Sequence, residues 1–337
     1  MATNSKRIAA FDIGTVTCRL LLAEVQDGVL HELERRCVIT NLGVGVDKTG
    51  VLQVDAIQRV VAQIGEYIEI VNSYRTEQQP EIPIVAVATS ASRDAKNSDA
   101  LVGKLHDLGV ELSVIEGERE AALSFRGASR GYEGENLLVA DIGGGSTEVV
   151  LGVGGEAPKL AHSFNVGCRR MTERFYVSDP PAETELAQAR TWVQHEFKPF
   201  FEHAKNKGIA IDRIVAVAGT ATSVVSMDKK MEVYDSSLVD GVTVSNETLD
   251  CLYRQLSSMP LADRKHVVGL QPERASVIVA GLGILLEVLV AADCKSFTVS
   301  ESDILQGLIL GAYEQGKNKS CLLTKVCSPK SFHGNNP

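Results

Sequence analysis

Two short segments hold the side chains best suited to chemistry. Asp12-Ile13-Gly14-Thr15-Val16-Thr17 and Asp141-Ile142-Gly143-Gly144-Gly145-Ser146-Thr147 each set an aspartate just before a turn rich in glycine and hydroxyls. Glycine lets a backbone approach a ligand closely and leaves its N–H groups free to donate. Successive free N–H groups form a concavity suited to phosphate. A carboxylate beside a phosphate acts through Mg²⁺, held directly or through its waters. The plainer reading is that Asp12 and Asp141 only cap their turns. One such segment would not decide the matter, but two in register within a duplicated chain favour a phosphate site.

The duplication extends well beyond the turns. Arg7–Val25 and Asn136–Val153 each read as strand, turn, strand. Each ends in a hairpin signal, Gln26-Asp27-Gly28 or Gly154-Gly155-Glu156, and the runs Val29–Ile39 and Pro158–Phe164 follow as third strands. Val85-Ala86-Val87-Ala88-Thr89 is echoed by Val215-Ala216-Val217-Ala218-Gly219. The two aspartates lie 129 residues apart and these two runs 130. Apolar residues at 57, 60, 61, 64, 68 and 71 predict a helix over Asp55–Tyr74. Further helices are expected over Ser98–Leu108, Gly117–Ala128, Glu183–Lys205 and Glu273–Val290, and over Asn246–Ser257 with Asn246 as its cap.

Each half is therefore α/β, with three hairpin-joined strands followed by alternating helices and strands. Two copies of that order, each with Asp-x-Gly at its first hairpin, resemble the duplicated actin-like fold of sugar kinases and heat-shock ATPase domains. That resemblance implies two similar domains with a cleft between them and the glycine turns facing each other across it. The expected boundaries are 1–126 for the first domain, completed by a C-terminal helix over 305–316, then 127–304 for the second and a mobile tail over 317–337.

Three more motifs narrow the resemblance. Ala88–Asn97 reads ATSASRDAKN, Val114–Leu123 reads VIEGEREAAL, and Val217–Thr222 reads VAGTAT. With the two aspartate turns, they resemble the exopolyphosphatase and guanosine pentaphosphate phosphohydrolase (Ppx/GppA) family over nearly the whole chain. The resemblance implies a phosphoanhydride hydrolase that uses Mg²⁺ or Mn²⁺, acts on polyphosphate or on pppGpp, and forms a homodimer. It implies that Glu120 orients or deprotonates the attacking water. Asp141 and Glu148 match the carboxylates around the metal, with Asp12 as a further candidate. Gly143, Gly144, Gly145 and Ser146 match the phosphate loop, with Gly14, Thr15 and Thr17 as its counterpart. Arg93 matches an arginine that contacts substrate phosphate, and Gly219 and Thr220 match a loop of the second domain. Val16 replaces an asparagine in the family pattern, and Gln306 stands where an arginine is common. Long members carry an additional helical domain, so a short two-domain member acting on short polyphosphates is expected. A small-molecule kinase and a non-catalytic nucleotide-binding protein of the same fold are the alternatives from other classes.

Composition sets outer bounds. The chain has 337 residues, 44% hydrophobic and 23% charged, which excludes collagen, wholesale disorder and a small disulfide scaffold. A net charge of −9 argues against a DNA-binding surface. The longest apolar stretch, around Val277–Ala292, is interrupted by Glu287, so no membrane span is expected. Met1–Arg7 has no signal-peptide core, and the seven scattered cysteines suit free thiols, so a cytoplasmic location is expected.

Overall fold

The structure, a computed structural model, describes residues 5–317. The expected mobile tail therefore lies outside the described residues except at Lys317. The described residues form two compact units, 5–127 with 304–317, and 128–303.

In the first unit, strands β1 (Ser5–Ile13), β2 (Thr17–Gln26) and β3 (Val29–Ile39) form an antiparallel meander. Helices α1 (Val46–Thr49) and α2 (Val54–Ser73), strand β4 (Ile84–Ala88), helices α3 (Ser90–Asp94) and α4 (Ser98–His106), strand β5 (Leu112–Val114) and helix α5 (Gly117–Ala128) follow. The second unit repeats this plan. Strands β6 (Asn136–Ile142), β7 (Thr147–Val153) and β8 (Pro158–Phe164) form its meander. Helices α6 (Cys168–Phe175) and α7 (Glu183–Asn206), strand β9 (Arg213–Val217) and helix α8 (Ala218–Asp228) come next. Strand β10 (Thr243–Ser245), helices α9 (Asn246–Ser257), α10 (Leu261–Arg264) and α11 (Ile278–Ala291) and strand β11 (Ser296–Val299) complete it. The chain then returns to the first unit as α12 (Ile304–Lys317).

The sheet orders are β3-β2-β1-β4-β5 and β8-β7-β6-β9-β11-β10. The first five positions correspond one for one, and β10 is an added antiparallel edge. This is a duplicated actin-like fold.

Strand alternation explains how the first sheet is covered on both faces. Phe11, Ile13, Leu20 and Leu22 join Ile57, Val60 and Ile64 of α2 in one apolar cluster. Ile8, Ala10 and Leu21 join Leu123 of α5 and Leu305, Leu308 and Ile309 of α12 in the other. Asp12 has the parity of Ile8 and Ala10, so it faces the layer that contains α5. Within that layer α12 comes very close to α5: a Cβ at Gly307 would lie 2.1 Å from the Leu123 carbonyl oxygen. Only glycine permits that approach, one helical turn beyond Glu120.

Three details differ from the sequence expectations. Ser245, not Asn246, caps α9, because its hydroxyl accepts from the Thr248 N–H at 3.2 Å. The helix expected from Glu273 begins at Ile278, after a separate 3-10 turn over Pro272–Arg274. The Ala275 carbonyl is taken by the Arg264 guanidinium at 3.1 Å, which ends that turn. Gly219 and Thr220 lie in the first turn of α8 rather than in a loop. No helix of the described residues is long and apolar enough to cross a membrane.

Candidate active site

The two turns are built alike. The Gly14 N–H donates to the Thr17 carbonyl at 2.8 Å, and the Gly143 N–H to the Ser146 carbonyl at 3.0 Å. Each turn is braced from behind by a later segment. Thr15 O accepts from Gly43 N–H (2.8 Å), and Val16 O accepts from Thr40 (3.0 Å) and Asn41 (2.9 Å). In the second unit, Gly143 O accepts from Cys168 (2.9 Å) and Gly144 O from Arg169 (2.8 Å), through the first residues of α6. Gly145 O accepts from Arg170 Nε at 2.8 Å. The loop's carbonyls are thus consumed by α6. Among the described residues, no hydrogen bond engages the N–H groups of Gly144, Gly145 or Ser146. That arrangement suits an anion.

The braces depend on glycine. A Cβ at Gly43 would lie 2.2 Å from Thr15 Cγ2, and one at Gly167 would lie 2.4 Å from the Gly144 carbonyl oxygen. A side chain can turn aside, whereas a loop backbone held by four bonds cannot. Gly167→Ala should therefore displace the loop, cost about 1–3 kcal/mol of stability, and raise KM for a phosphate substrate. Gly43→Ala should do less. Urea unfolding and kinetics on both variants check this, and equal effects would count against a rigid brace at Gly167.

The register sets the carboxylates. Asp12 pairs across β1–β2 with Arg19, and Asp141 occupies the same place across β6–β7 opposite Glu148. Asp12 Oδ2 accepts from Arg19 Nε at 2.9 Å and from Nη2 at 2.7 Å. In the second unit an acid, Glu148, occupies the register position opposite Asp141 that Arg19 occupies opposite Asp12 in the first. Asp141 is 6% exposed and Glu148 1%. Ser163 Oγ donates to Glu148 Oε1 at 2.6 Å. Like charges directly opposite one another on a sheet face are destabilising, and burial sharpens the cost. Among the described residues no cluster of three or more His, Cys, Asp or Glu ligands occurs. Two hard oxygen donors still fit Mg²⁺, which takes one or two carboxylates and completes its shell with water and substrate phosphate.

Glu120 lies in the first turn of α5 and is 8% exposed. Its Oε2 accepts from Arg93 Nη1 at 3.1 Å. Arg93 comes from α3, which follows β4, and the register Ile13↔Ala88 sets that junction beside the first turn. Ser90 and Ser92, also on α3, bury hydroxyls that have no partner among the described residues. In the second unit the register Asp141↔Val217 likewise brings Ala218, Gly219 and Thr220 beside the Gly143 turn. Ala218 has φ 65°, a strained value for a residue with a Cβ. A Cβ at Gly219 would meet Arg274 Nη1 at 2.0 Å, so the guanidinium rests on the glycine's α-carbon. Arg169 and Arg274 lie near enough to favour a Cys168 thiolate, yet burial dominates and pushes that thiol up.

Arg19 and Gly43 flank the first unit's turn and Arg274 that of the second, none of them expected from the motifs. Arg19 does carry a signal, because it follows Asp12 by the same seven residues that separate Glu148 from Asp141. Arg274 has no such signal. Gln306, in the place of an arginine, is buried in α12.

The Ppx/GppA phosphatase family model matches residues 21–315. Exopolyphosphatase 2 of Mycobacterium tuberculosis is 35% identical over 322 residues, covering 90% of this chain and 98% of that protein. A bifunctional 3-dehydroquinate synthase/phosphatase of Fusobacterium nucleatum is also 35% identical, over 91% of this chain. The match spans only 46% of that protein's length. The crystal structure of an exopolyphosphatase-like protein superposes with a TM-score of 0.82 at 32% identity, covering 91% of this chain and 98% of the other. The chain belongs to the Ppx/GppA phosphatase family.

Proposed function

We propose that the chain is an exopolyphosphatase that hydrolyses the terminal phosphoanhydride bond of inorganic polyphosphate with Mg²⁺ or Mn²⁺ as cofactor. The observation that carries this reading is the braced Gly143–Ser146 loop with the buried Asp141–Glu148 pair on the strands that enter and leave it. Hydrolysis of this bond needs positioning and charge neutralisation more than covalent chemistry. The N–H groups of Gly144, Gly145 and Ser146 bind phosphate oxygens. In the first unit Gly14, Thr15 and Thr17 repeat that turn with Arg93 from α3; in the second, Gly219, Thr220 and Arg274 add donors beside the glycine loop. Asp141 and Glu148 would hold the cation, which when bound neutralises charge on the phosphate. Asp12 carries its own cation in Arg19, and a role at the metal would require that pair to open. Glu120 accepts a proton as water attacks the terminal phosphorus, and the bridging oxygen leaves on the shortened chain.

The same reading carries a cytoplasmic homodimer without DNA or membrane partners. The net charge of −9 and the free thiols of Cys18, Cys37, Cys168, Cys251 and Cys294 support the location and the lack of a DNA partner. The homodimer follows from the family resemblance alone.

An acidic protein with a neutral, buried Gln306 offers few basic contacts to a long polyanion. We expect short chains to be preferred, intermediates to accumulate, and activity to fall with added salt, because exposed contacts are screened. The test is kcat/KM across a polyphosphate length series at fixed Mg²⁺, with products resolved by size and pppGpp run alongside. Efficiency rising steadily toward long chains with no intermediates would refute the length preference. A pppGpp efficiency far above that of every polyphosphate would move the assignment to the nucleotide.

A further inference from the structure

The arginine on α3 has a task that comes before any contact with substrate. Arg93 Nη1 donates at once to the Ile115 carbonyl at 2.9 Å and to Glu120 Oε2 at 3.1 Å. Ile115 sits between β5 and α5 and is held in turn by its own N–H on the Ala88 carbonyl at 3.0 Å. Arg93 is itself anchored, its N–H bonding the Thr89 carbonyl at 2.9 Å. One guanidinium nitrogen therefore bolts together the end of β4, the entry to α5 and the carboxylate of Glu120.

Glu120 needs such a partner. A carboxylate on three rotatable bonds, nearly buried, is costly without an ionic or hydrogen-bonding partner. A general base works only when held within hydrogen-bond reach of the proton it takes. The pair is partly shielded, with the Arg93 side chain 17% and the Glu120 side chain 11% exposed. Only Nη1 is engaged in these bonds, so the planar fork keeps Nε and Nη2 on its other edge.

We propose that Arg93 is a positioning residue that sets the carboxylate of Glu120, and that most of its effect on turnover passes through that carboxylate rather than through substrate affinity. This rests on the reading of Glu120 as the base. A lysine at this place would keep the charge but lose the planar guanidinium that fixes the direction of the two Nη1 hydrogens toward both acceptors.

The test is a double-mutant cycle on the full chain: native, Arg93→Ala, Glu120→Ala and the double variant, each with short polyphosphate at saturating Mg²⁺. We expect Glu120→Ala to lower kcat at least about a hundredfold. Arg93→Ala alone should lower kcat about 10- to 100-fold, the scale for loss of a group that orients a site ligand, with KM moved less than about 3-fold. In the Glu120→Ala background its further effect should be under about 3-fold, because the carboxylate it positions is gone. Added guanidinium ion should restore kcat to Arg93→Ala and do nothing for Glu120→Ala. If Arg93→Ala does not fold, Arg93→Lys is run through the same cycle and should show the same non-additivity. Full multiplication of the two losses, or a loss confined to KM, overturns the positioning role and leaves the base intact. Near-native turnover by Glu120→Ala overturns the base assignment and this proposal with it.

Discussion

Glu120→Gln should hydrolyse polyphosphate at least about a hundredfold more slowly than the native chain, the usual scale for loss of a general base. The change is nearly isosteric, and the amide oxygen can still accept from Arg93 Nη1. What disappears is the capacity to take a proton from water. The charge-assisted bond becomes a weaker one, and Arg93 loses its counter-charge in a partly buried place. A stability loss of about 1 kcal/mol should therefore accompany the fall in rate. Substrate affinity should change little, because the phosphate donors of the second unit are untouched. Steady-state kinetics with urea unfolding separates these effects. A variant with near-native turnover would remove Glu120 from the mechanism. One that is largely unfolded under assay conditions would show that the ion pair is chiefly structural.

The second large effect concerns Glu148. Two buried acids stand opposite each other in β6–β7, and beyond the partners each already has, a positive group between them would offset their mutual repulsion. If that positive group is a divalent cation, Glu148→Gln should raise the Mg²⁺ concentration for half-maximal activity by about tenfold or more. In metal-free buffer the same variant should unfold no sooner than the native chain, since one of two like charges is gone. Ser163 Oγ retains an acceptor in the glutamine side chain. The opposed signs, weaker activation by metal and unimpaired stability without it, distinguish a ligand from a structural residue. An unchanged Mg²⁺ dependence, or full activity of the native protein in excess EDTA, would sink the assignment. Asp141→Asn should behave alike, whereas Asp12→Asn should cost stability instead, because a neutral amide replaces the carboxylate that Arg19 holds.

The hairpins, their glycine turns and the helices α2, α5 and α7 are legible in the amino-acid sequence, because each rests on short-range rules. Alternation places apolar residues on both faces of β1 and β6, helical spacing marks α2, and Asp-Gly or Gly-Gly pairs close the hairpins. The duplication is equally plain, since it is a comparison of the chain with itself. From these come the actin-like order of strands and a roster of residues near a phosphate site. Element edges that hang on a single hydrogen bond are not legible in this way, as at Ser245 and at the Ala275 carbonyl.

The site's chemistry lies largely in pairings between residues distant along the chain. Arg93 and Glu120 are 27 residues apart and meet because β4 and β5 lie side by side. Arg274 reaches Gly219 only through the fold of the second unit. That α6 turns its first N–H groups onto the carbonyls of the glycine loop, and so leaves the loop's own N–H groups for a ligand, has no local signature. The sequence names the donors and acceptors of this site. Which ones spend themselves on one another, and which remain for phosphate, follows from packing, because a buried polar group takes whatever partner the surrounding backbone brings within about 3 Å.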